Sequence, residues 1–79
     1  MGVRIFLSTT LRSNVENYNA ADGLILQPAE GETVRSACVR LGIPVENIKM
    51  VMVNGRSASM DHPVKDGDRL GLFPPVGGG

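Results

Sequence analysis

The most reactive group in the sequence lies at its end, where the glycines at 77–79 follow the rigid dipeptide Pro74-Pro75. Glycine loses more backbone entropy on folding than any other residue, so a folded domain gains little from three in a row. An enzyme gains more, because a tail without side chains passes through a narrow channel and presents its α-carboxylate to a buried active site. Residues 76–79 reach roughly 14 Å when extended. We therefore expect the carboxylate of Gly79 to react, with an ordinary frayed chain end as the alternative.

Other residue types that support catalysis are sparse. The sequence has one cysteine, Cys38, and one histidine, His62. A single cysteine excludes an internal disulfide, and the two residues together make no metal-ligand set. His62 lies between Asp61 and Pro63 with no nucleophile placed beside it, so we interpret it as a turn residue. We interpret Cys38 as a small core residue rather than a reactive thiol, and expect neither a metal nor a bound cofactor.

Length and composition indicate one small domain of 79 residues. Eight basic and eight acidic residues are spread along the chain without a block of like charge. The charge therefore predicts neither nucleic acid nor an anionic membrane as a partner. No apolar run approaches the length of a membrane span, and no basic and apolar leader precedes the first strand. We expect a cytoplasmic protein.

Five segments have the composition of β-strands. Apolar residues alternate along residues 3–7 and again along residues 69–73. The second alternation places Leu70 and Leu72 on the inner face and leaves Phe73 on the outer face, as an exposed aromatic beside the tail. The other predicted strands are residues 23–27, 48–53 and 56–59, and the last two are joined by the tight turn Asn54-Gly55.

One helix is predicted between the second and third strands. Thr33 suits the N-cap and Gly42 the position just after the last turn. The apolar stripe of a 3.6-residue period is formed by Val34, Ala37, Cys38 and Leu41. Residues 8–22 lack a period and predict an irregular loop, with Leu11 and Val15 folded inward. The element order predicts an α+β fold in which the helix crosses one face of a mixed sheet, with the first and last strands adjacent and parallel.

These elements and their turns resemble a known family, the ubiquitin-like β-grasp sulfur carriers. That family contains the small subunit of molybdopterin synthase and the sulfur carrier of the thiamine pathway. The resemblance is carried by residues 41–44 (Leu-Gly-Ile-Pro), 51–56 (Val-Met-Val-Asn-Gly-Arg), 61–64 (Asp-His-Pro-Val), 66–70 (Asp-Gly-Asp-Arg-Leu), 73–76 (Phe-Pro-Pro-Val) and the final Gly-Gly. It implies a β-grasp domain at residues 1–76, with a mixed sheet of four to five strands and one main helix, followed by a flexible tail at residues 77–79.

The resemblance also implies a function without catalysis by the chain itself. An E1-like enzyme uses ATP to adenylate the carboxylate of Gly79, and sulfur then replaces the adenylate to give a thiocarboxylate. A synthase accepts that sulfur, and the Phe-Pro-Pro-Val segment favours molybdopterin or tungstopterin assembly, with the carrier as the small synthase subunit. The thiazole synthase of the thiamine pathway is the alternative acceptor.

The partner surface implied by the resemblance lies around the tail. Its residues are Phe6, Phe73, Pro74, Pro75, Val76, Gly77 and Gly78. Two other classes stay open at this point. One is a protein modifier that forms an isopeptide bond through Gly79, which needs the same tail and the same activation. The other is a passive interaction module with a Gly-rich end.

Overall fold

In the computed structural model the described residues are 2–8, 11–12, 15, 18–19 and 21–75. Their elements, in chain order, are β1 (Val3–Leu7), β2 (Leu24–Leu26), α1 (Val34–Leu41), a 3-10 turn (Val45–Asn47), β3 (Met50–Val53), β4 (Arg56–Ala58) and β5 (Arg69–Phe73). The predicted strands and helix are confirmed, with ends that differ by no more than two residues. The 3-10 turn after Pro44 was not predicted. None of the helices in the described ranges has the length and apolarity needed to cross a bilayer.

The five strands form one mixed sheet in the order β2-β1-β5-β3-β4. The last strand in sequence, β5, is therefore the central strand of the sheet. It pairs parallel with β1 and antiparallel with β3, as expected for the first and last strands of this topology. The helix covers one face of the sheet, and this is the β-grasp arrangement that the resemblance implies.

The core lies between the inner face of the sheet and α1. Leu70 and Leu72 are 1% and 0% exposed, which confirms the inward face predicted for β5. The other fully buried side chains come from β1, from the helix stripe and from two loops; they include Val3, Ile5, Leu7, Leu11, Val34, Ala37, Cys38 and Ile43. Val15 packs partly buried against this cluster, so both inward positions predicted in the irregular loop are confirmed.

Local hydrogen bonds fix the ends of α1 where the sequence predicts them. The backbone N–H of Ser36 donates to Oγ1 of Thr33 at 3.2 Å, and Oγ of Ser36 accepts from the Thr33 N–H at 2.9 Å. This reciprocal capping box satisfies two donors that an isolated helix end leaves free. At the other end Gly42 has φ of 76°, a left-handed conformation that glycine adopts without a Cβ penalty.

Side chains complete β1 where β2 is too short to do so. β2 pairs only with residues 3–5 of β1. Beyond that, the N–H of Leu7 donates to Oη of Tyr18 at 2.8 Å, and the Leu7 carbonyl accepts from Nε of Arg12 at 2.9 Å. Two side chains from the irregular loop thus replace a strand neighbour and satisfy the backbone N–H and carbonyl of Leu7, which β2 does not reach.

A buried carboxylate ties the segment before α1 to the helix. The Glu32 side chain is 1% exposed and forms an ion pair with Arg40, which also donates to the carbonyl of Gln27 at 3.2 Å. Glu32 also accepts from Oγ of Ser36 and from the N–H of Ala29, the latter at 3.0 Å. Burial raises the pKa of Glu32, but these hydrogen bonds and the Arg40 charge outweigh it and hold the pKa below its ordinary value.

Replacing this carboxylate is expected to destabilise the fold. Glu32→Gln removes the charge that holds Arg40 and Ser36, and should lower the free energy of unfolding by about 1.5–3 kcal/mol near neutral pH. Because the folded-state pKa is lowered, the contribution of Glu32 is complete above its ordinary value of 4.5 and is lost as the pH falls through the lowered value. Urea titrations at several pH values measure both effects.

The matched control is Glu30→Gln, since Glu30 is exposed two residues earlier. We expect the difference between wild type and Glu32→Gln to narrow on acidification, and Glu30→Gln to stay close to wild type throughout. Two outcomes would contradict a stabilising role for the ionised carboxylate. One is an equal loss of unfolding free energy in Glu32→Gln and Glu30→Gln, and the other is a difference between wild type and Glu32→Gln that does not change below pH 4.5.

Candidate functional site

The end of β5 is the point at which the chain leaves the sheet toward its glycines. The carbonyl of Leu72 accepts from the Ser8 N–H at 3.1 Å, and the carbonyl of Phe73 accepts from the Lys49 N–H at 2.7 Å. The strand is therefore hydrogen-bonded on both sides up to its last residue. Pro74 has no N–H and cannot continue the ladder. The start of the tail thus has a fixed position at the middle of one end of the sheet.

The predicted site residues fall into two groups at this point. Pro74 is half-buried and Pro75 is exposed, both directly after β5. The remaining predicted positions of the tail, Val76, Gly77, Gly78 and the reactive Gly79, lie outside the described residues.

Phe73 lies on the outer face of the sheet, as the strand alternation predicts, but it is half-buried rather than exposed. The reason is Gly71, two residues earlier on the same face. A Cβ placed on Gly71 would lie 3.3 Å from Cε1 of Phe73, so the ring covers the backbone that a side chain would otherwise occupy. The expectation of a fully exposed aromatic was wrong, because it ignored the missing side chain at Gly71.

Phe6, the other aromatic assigned to the partner surface, also lies half-buried on the outer face. It is the register partner of Gly71 on the neighbouring strand. The guanidinium of Arg69 stacks over its ring at 4.8 Å from the centroid. A hollow of about 160 Å³ lies over this part of the sheet, lined by Phe6, Met52, Gly55, Arg69, Leu70 and Gly71. The two aromatic rings thus flank a shallow hollow with Gly71 in its lining.

Two further apolar side chains extend this face and were not assigned to the site from the sequence. Met50 is 46% exposed and is the register partner of Phe73, while Met52 is half-buried beside Gly71. The alternation of β3 carries the signal, since it places both methionines on the face opposite Val51 and Val53. Methionine is flexible and polarisable, which suits a surface that adapts to a partner.

The single cysteine, Cys38, belongs to the core and not to this outer face. Cys38 is fully buried in the core, and burial raises the pKa of its thiol to about 11, against a smaller opposing effect of the Arg35 charge. A thiol in this state is a poor nucleophile at neutral pH. The interpretation of Cys38 as a core residue agrees with its position in the apolar cluster.

His62, which the sequence predicts as a turn residue, contributes a backbone carbonyl to the start of the helix. His62 is exposed, and its carbonyl accepts from the first backbone N–H of α1, that of Val34, at 3.0 Å. Within the described ranges, the His, Cys, Asp and Glu side chains form no group of three that could hold a metal ion.

The arrangement can present a reactive group but contains no assembled catalytic set among the described residues. A half-buried apolar face lies beside the base of a tail that starts at a fixed point, which suits docking to a second protein. No curated protein matches the sequence. The crystal structure of SAMP1 from Haloferax volcanii has the same fold, with a TM-score of 0.71, 24% sequence identity and 98% of each chain covered.

The expected β-grasp fold is thereby confirmed. The ThiS family model matches residues 13–79, a stretch that includes the helix, four of the five strands and the final glycines. Because this match spans most of the sequence, the chain belongs to the ThiS family of ubiquitin-like sulfur carriers.

Proposed function

We propose that this chain carries sulfur as a thiocarboxylate on Gly79, after activation of the carboxylate by an E1-like adenylating enzyme. The observation that carries the proposal is the family match, which runs to Gly79 itself. The geometry supports it, because β5 is hydrogen-bonded up to Leu72 on the β1 side and up to Phe73 on the β3 side, directly before the prolines that lead to the glycines. A carrier needs a firmly held docking surface and a reactive terminus, and these lie next to each other in sequence.

The proposed chemistry takes place on the tail. An oxygen of the Gly79 carboxylate attacks the α-phosphorus of ATP, and pyrophosphate leaves. The acyl carbon then bears AMP as a good leaving group, so a hydrosulfide equivalent forms the C–S bond as the C–O bond to AMP breaks. The activating enzyme and the sulfur donor supply the reagents. The chain itself binds the enzyme through its sheet and delivers the acyl carbon, and docking makes the reaction effectively intramolecular.

We further propose that the acceptor belongs to molybdopterin or tungstopterin assembly, with the chain as a non-catalytic subunit of the synthase. The segment Phe-Pro-Pro-Val at residues 73–76 supports this choice. Its two prolines end the β5 ladder and stiffen the approach to the glycines. We place both activation and transfer in the cytoplasm, where ATP is available. Transfer to a thiazole synthase, or conjugation of Gly79 to lysines, are the competing outcomes.

Mass spectrometry of protein isolated from its host tests the carrier function directly. We expect the C-terminal peptide to gain the difference between one sulfur and one oxygen atom, located on Gly79 by fragmentation. The variant Cys38→Ala should carry the same sulfur, because a buried thiol with a pKa of about 11 is a poor acceptor. Sulfur that disappears in Cys38→Ala would show instead that the core thiol is the carrier atom.

The same measurement separates the competing classes. A Gly79 peptide branched onto lysine identifies a protein modifier, and an unmodified carboxylate in every preparation identifies a passive module. Incubation of the thiocarboxylate form with candidate synthases then separates the pathways, since only the cognate synthase restores the carboxylate while forming its sulfur-containing product.

Extending the tail by one residue tests whether the terminus is the site of activation. An alanine appended after Gly79 moves the reactive carbon by about 3.5 Å, and misplacement by even 1 Å lowers rates on the order of a hundredfold. We expect pyrophosphate exchange with the activating enzyme to be abolished while docking of the sheet is unchanged. Deletion of Gly78 and Gly79 should have the same effect without changing the melting temperature. If the extended protein, shown to be untrimmed, supports normal pyrophosphate exchange, the carboxylate of Gly79 is not the site of activation.

The aromatic at the base of the tail is expected to dominate docking. Loss of a hot-spot aromatic costs about 2 kcal/mol or more, so Phe73→Ala should weaken binding to the activating enzyme roughly tenfold or more. Calorimetric titration measures it, and Val39→Ala is the control because Val39 is 66% exposed on the helix, away from the outer face of the sheet. A large loss of unfolding free energy with unchanged affinity would make Phe73 a purely structural residue.

A further inference from the structure

Two arginines lie side by side on the outer face of the sheet. Arg4 of β1 and Arg69 of β5 are register partners in the parallel strand pair, and both are exposed. Neighbouring strands are roughly 4.8 Å apart, which brings the two cationic side chains together at the same level of the sheet. Like charges placed directly opposite each other destabilise a strand pair. The register therefore places two like-charged side chains at the same level of the outer face.

No described carboxylate neutralises either guanidinium. Nη1 of Arg4 donates to the backbone carbonyl of Asp22 at 2.8 Å, and Arg69 stacks over the ring of Phe6. A carbonyl and an aromatic ring orient the guanidinium groups without removing their charge. The ion pairs between described residues are Arg35–Asp61 and Arg40–Glu32, neither of which involves this face.

The carboxylate adjacent in sequence is engaged elsewhere. Asp68 accepts from Nδ2 of Asn54 and from the backbone N–H of Lys65, both at 2.9 Å. Asn54, with φ of 52° in the turn after β3, also accepts from the Arg69 N–H at 2.9 Å. These bonds hold the Asp68 side chain toward the Asn54 and Lys65 turns and leave the guanidinium of Arg69 without it.

The arginines line a groove that joins the apolar part of the face. A cavity of about 490 Å³ is lined by Gly2, Arg4, Ile25, Gly67, Asp68 and Arg69. Arg69 also lines the hollow beside Phe6 and Gly71. Arg69 therefore lies between the apolar hollow and a groove that contains both guanidinium groups and the Asp68 carboxylate, which is already bonded to Asn54 and Lys65. Arg69 precedes Phe73 by four residues on the same strand, which corresponds to about 13 Å along the sheet.

We propose that Arg4 and Arg69 bind carboxylate side chains of the enzyme that activates the tail, and that this contact sets the register of docking. The identity of this partner rests on the proposed function. Charge complementarity selects the occupant, because carboxylates pair with guanidinium groups through two parallel hydrogen bonds and relieve the repulsion between the arginines. Stacking on Phe6 holds the Arg69 guanidinium in place before binding, which lowers the entropy lost on docking. The enzyme then contacts the sheet from the arginine pair to Phe73.

Reversing the charge of each arginine tests the proposal, and because both residues are exposed the substitutions should leave the fold intact. Calorimetric titration of the activating enzyme without ATP measures docking alone for Arg4→Glu, Arg69→Glu and the control Arg56→Glu. Arg56 is exposed on β4 and pairs with the buried Val53, so it lies on the opposite side of the sheet. We expect Kd to rise about tenfold or more for the first two variants and to change little for the third. Increasing salt should weaken wild-type docking and reduce the difference in Kd between wild type and the two arginine variants.

Stability supplies the second readout. Each new glutamate faces the remaining arginine across the strand pair, which offsets the loss of the Arg4–Asp22 hydrogen bond or of the Arg69–Phe6 stacking. Both variants should therefore stay close to wild type in urea while docking more weakly. The proposal would be overturned if the Kd of Arg4→Glu and Arg69→Glu equalled that of wild type, or if it rose only as much as the Kd of Arg56→Glu. It would also be overturned if the wild-type protein did not bind the enzyme. Pyrophosphate exchange, measured separately, reports on the proposed function. Docking that depends on the arginines without exchange would refute activation of Gly79 and leave the arginine site standing.

Discussion

The central position of β5 is the constraint on which the rest of the structure depends. A strand at the edge of a sheet has one hydrogen-bonded neighbour, and its end frays easily. β5 has two, and its last two carbonyls accept from Ser8, just after β1, and from Lys49, just before β3. The first and last strands of the chain must therefore meet before the site exists. The base of the tail is consequently held by hydrogen bonds of the central strand.

The alternation of β5 also separates its core residues from the residues of the proposed docking face. The inward residues Leu70 and Leu72 are buried against the helix, while Arg69, Gly71 and Phe73 face outward in register with residues of β1 and β3. Because the two sets point away from each other, the outer face can change its charge and shape with little effect on the core. A small domain with modest stability benefits from this separation.

Sequence patterns predicted the elements well because each has a local physical signal. Alternation identified β1 and β5, and Thr33 and Gly42 marked the ends of the helix through cap geometry. Two features that sequence reasoning missed, the Glu32–Arg40 pair and the register of Arg4 with Arg69, depend on which segments meet. The half-burial of Phe73 has a local cause, the missing side chain at Gly71 on the same strand, and was overlooked. The sulfur acceptor in the proposed function is not encoded in these patterns, because it is a separate protein.

Keeping the thiol in the core has a chemical consequence for a carrier of activated acyl groups. An acyl adenylate reacts readily with thiolates, so a reactive cysteine on the same surface would compete with the sulfur donor. Cys38 does not offer a thiolate at neutral pH, since burial places its pKa near 11 and the helix stripe hides it from solvent. Under the proposed function, the packing that stabilises α1 would therefore also protect an acyl adenylate on Gly79 from this thiol. Within that proposal, selectivity for an external sulfur donor would follow from where the fold places its single cysteine.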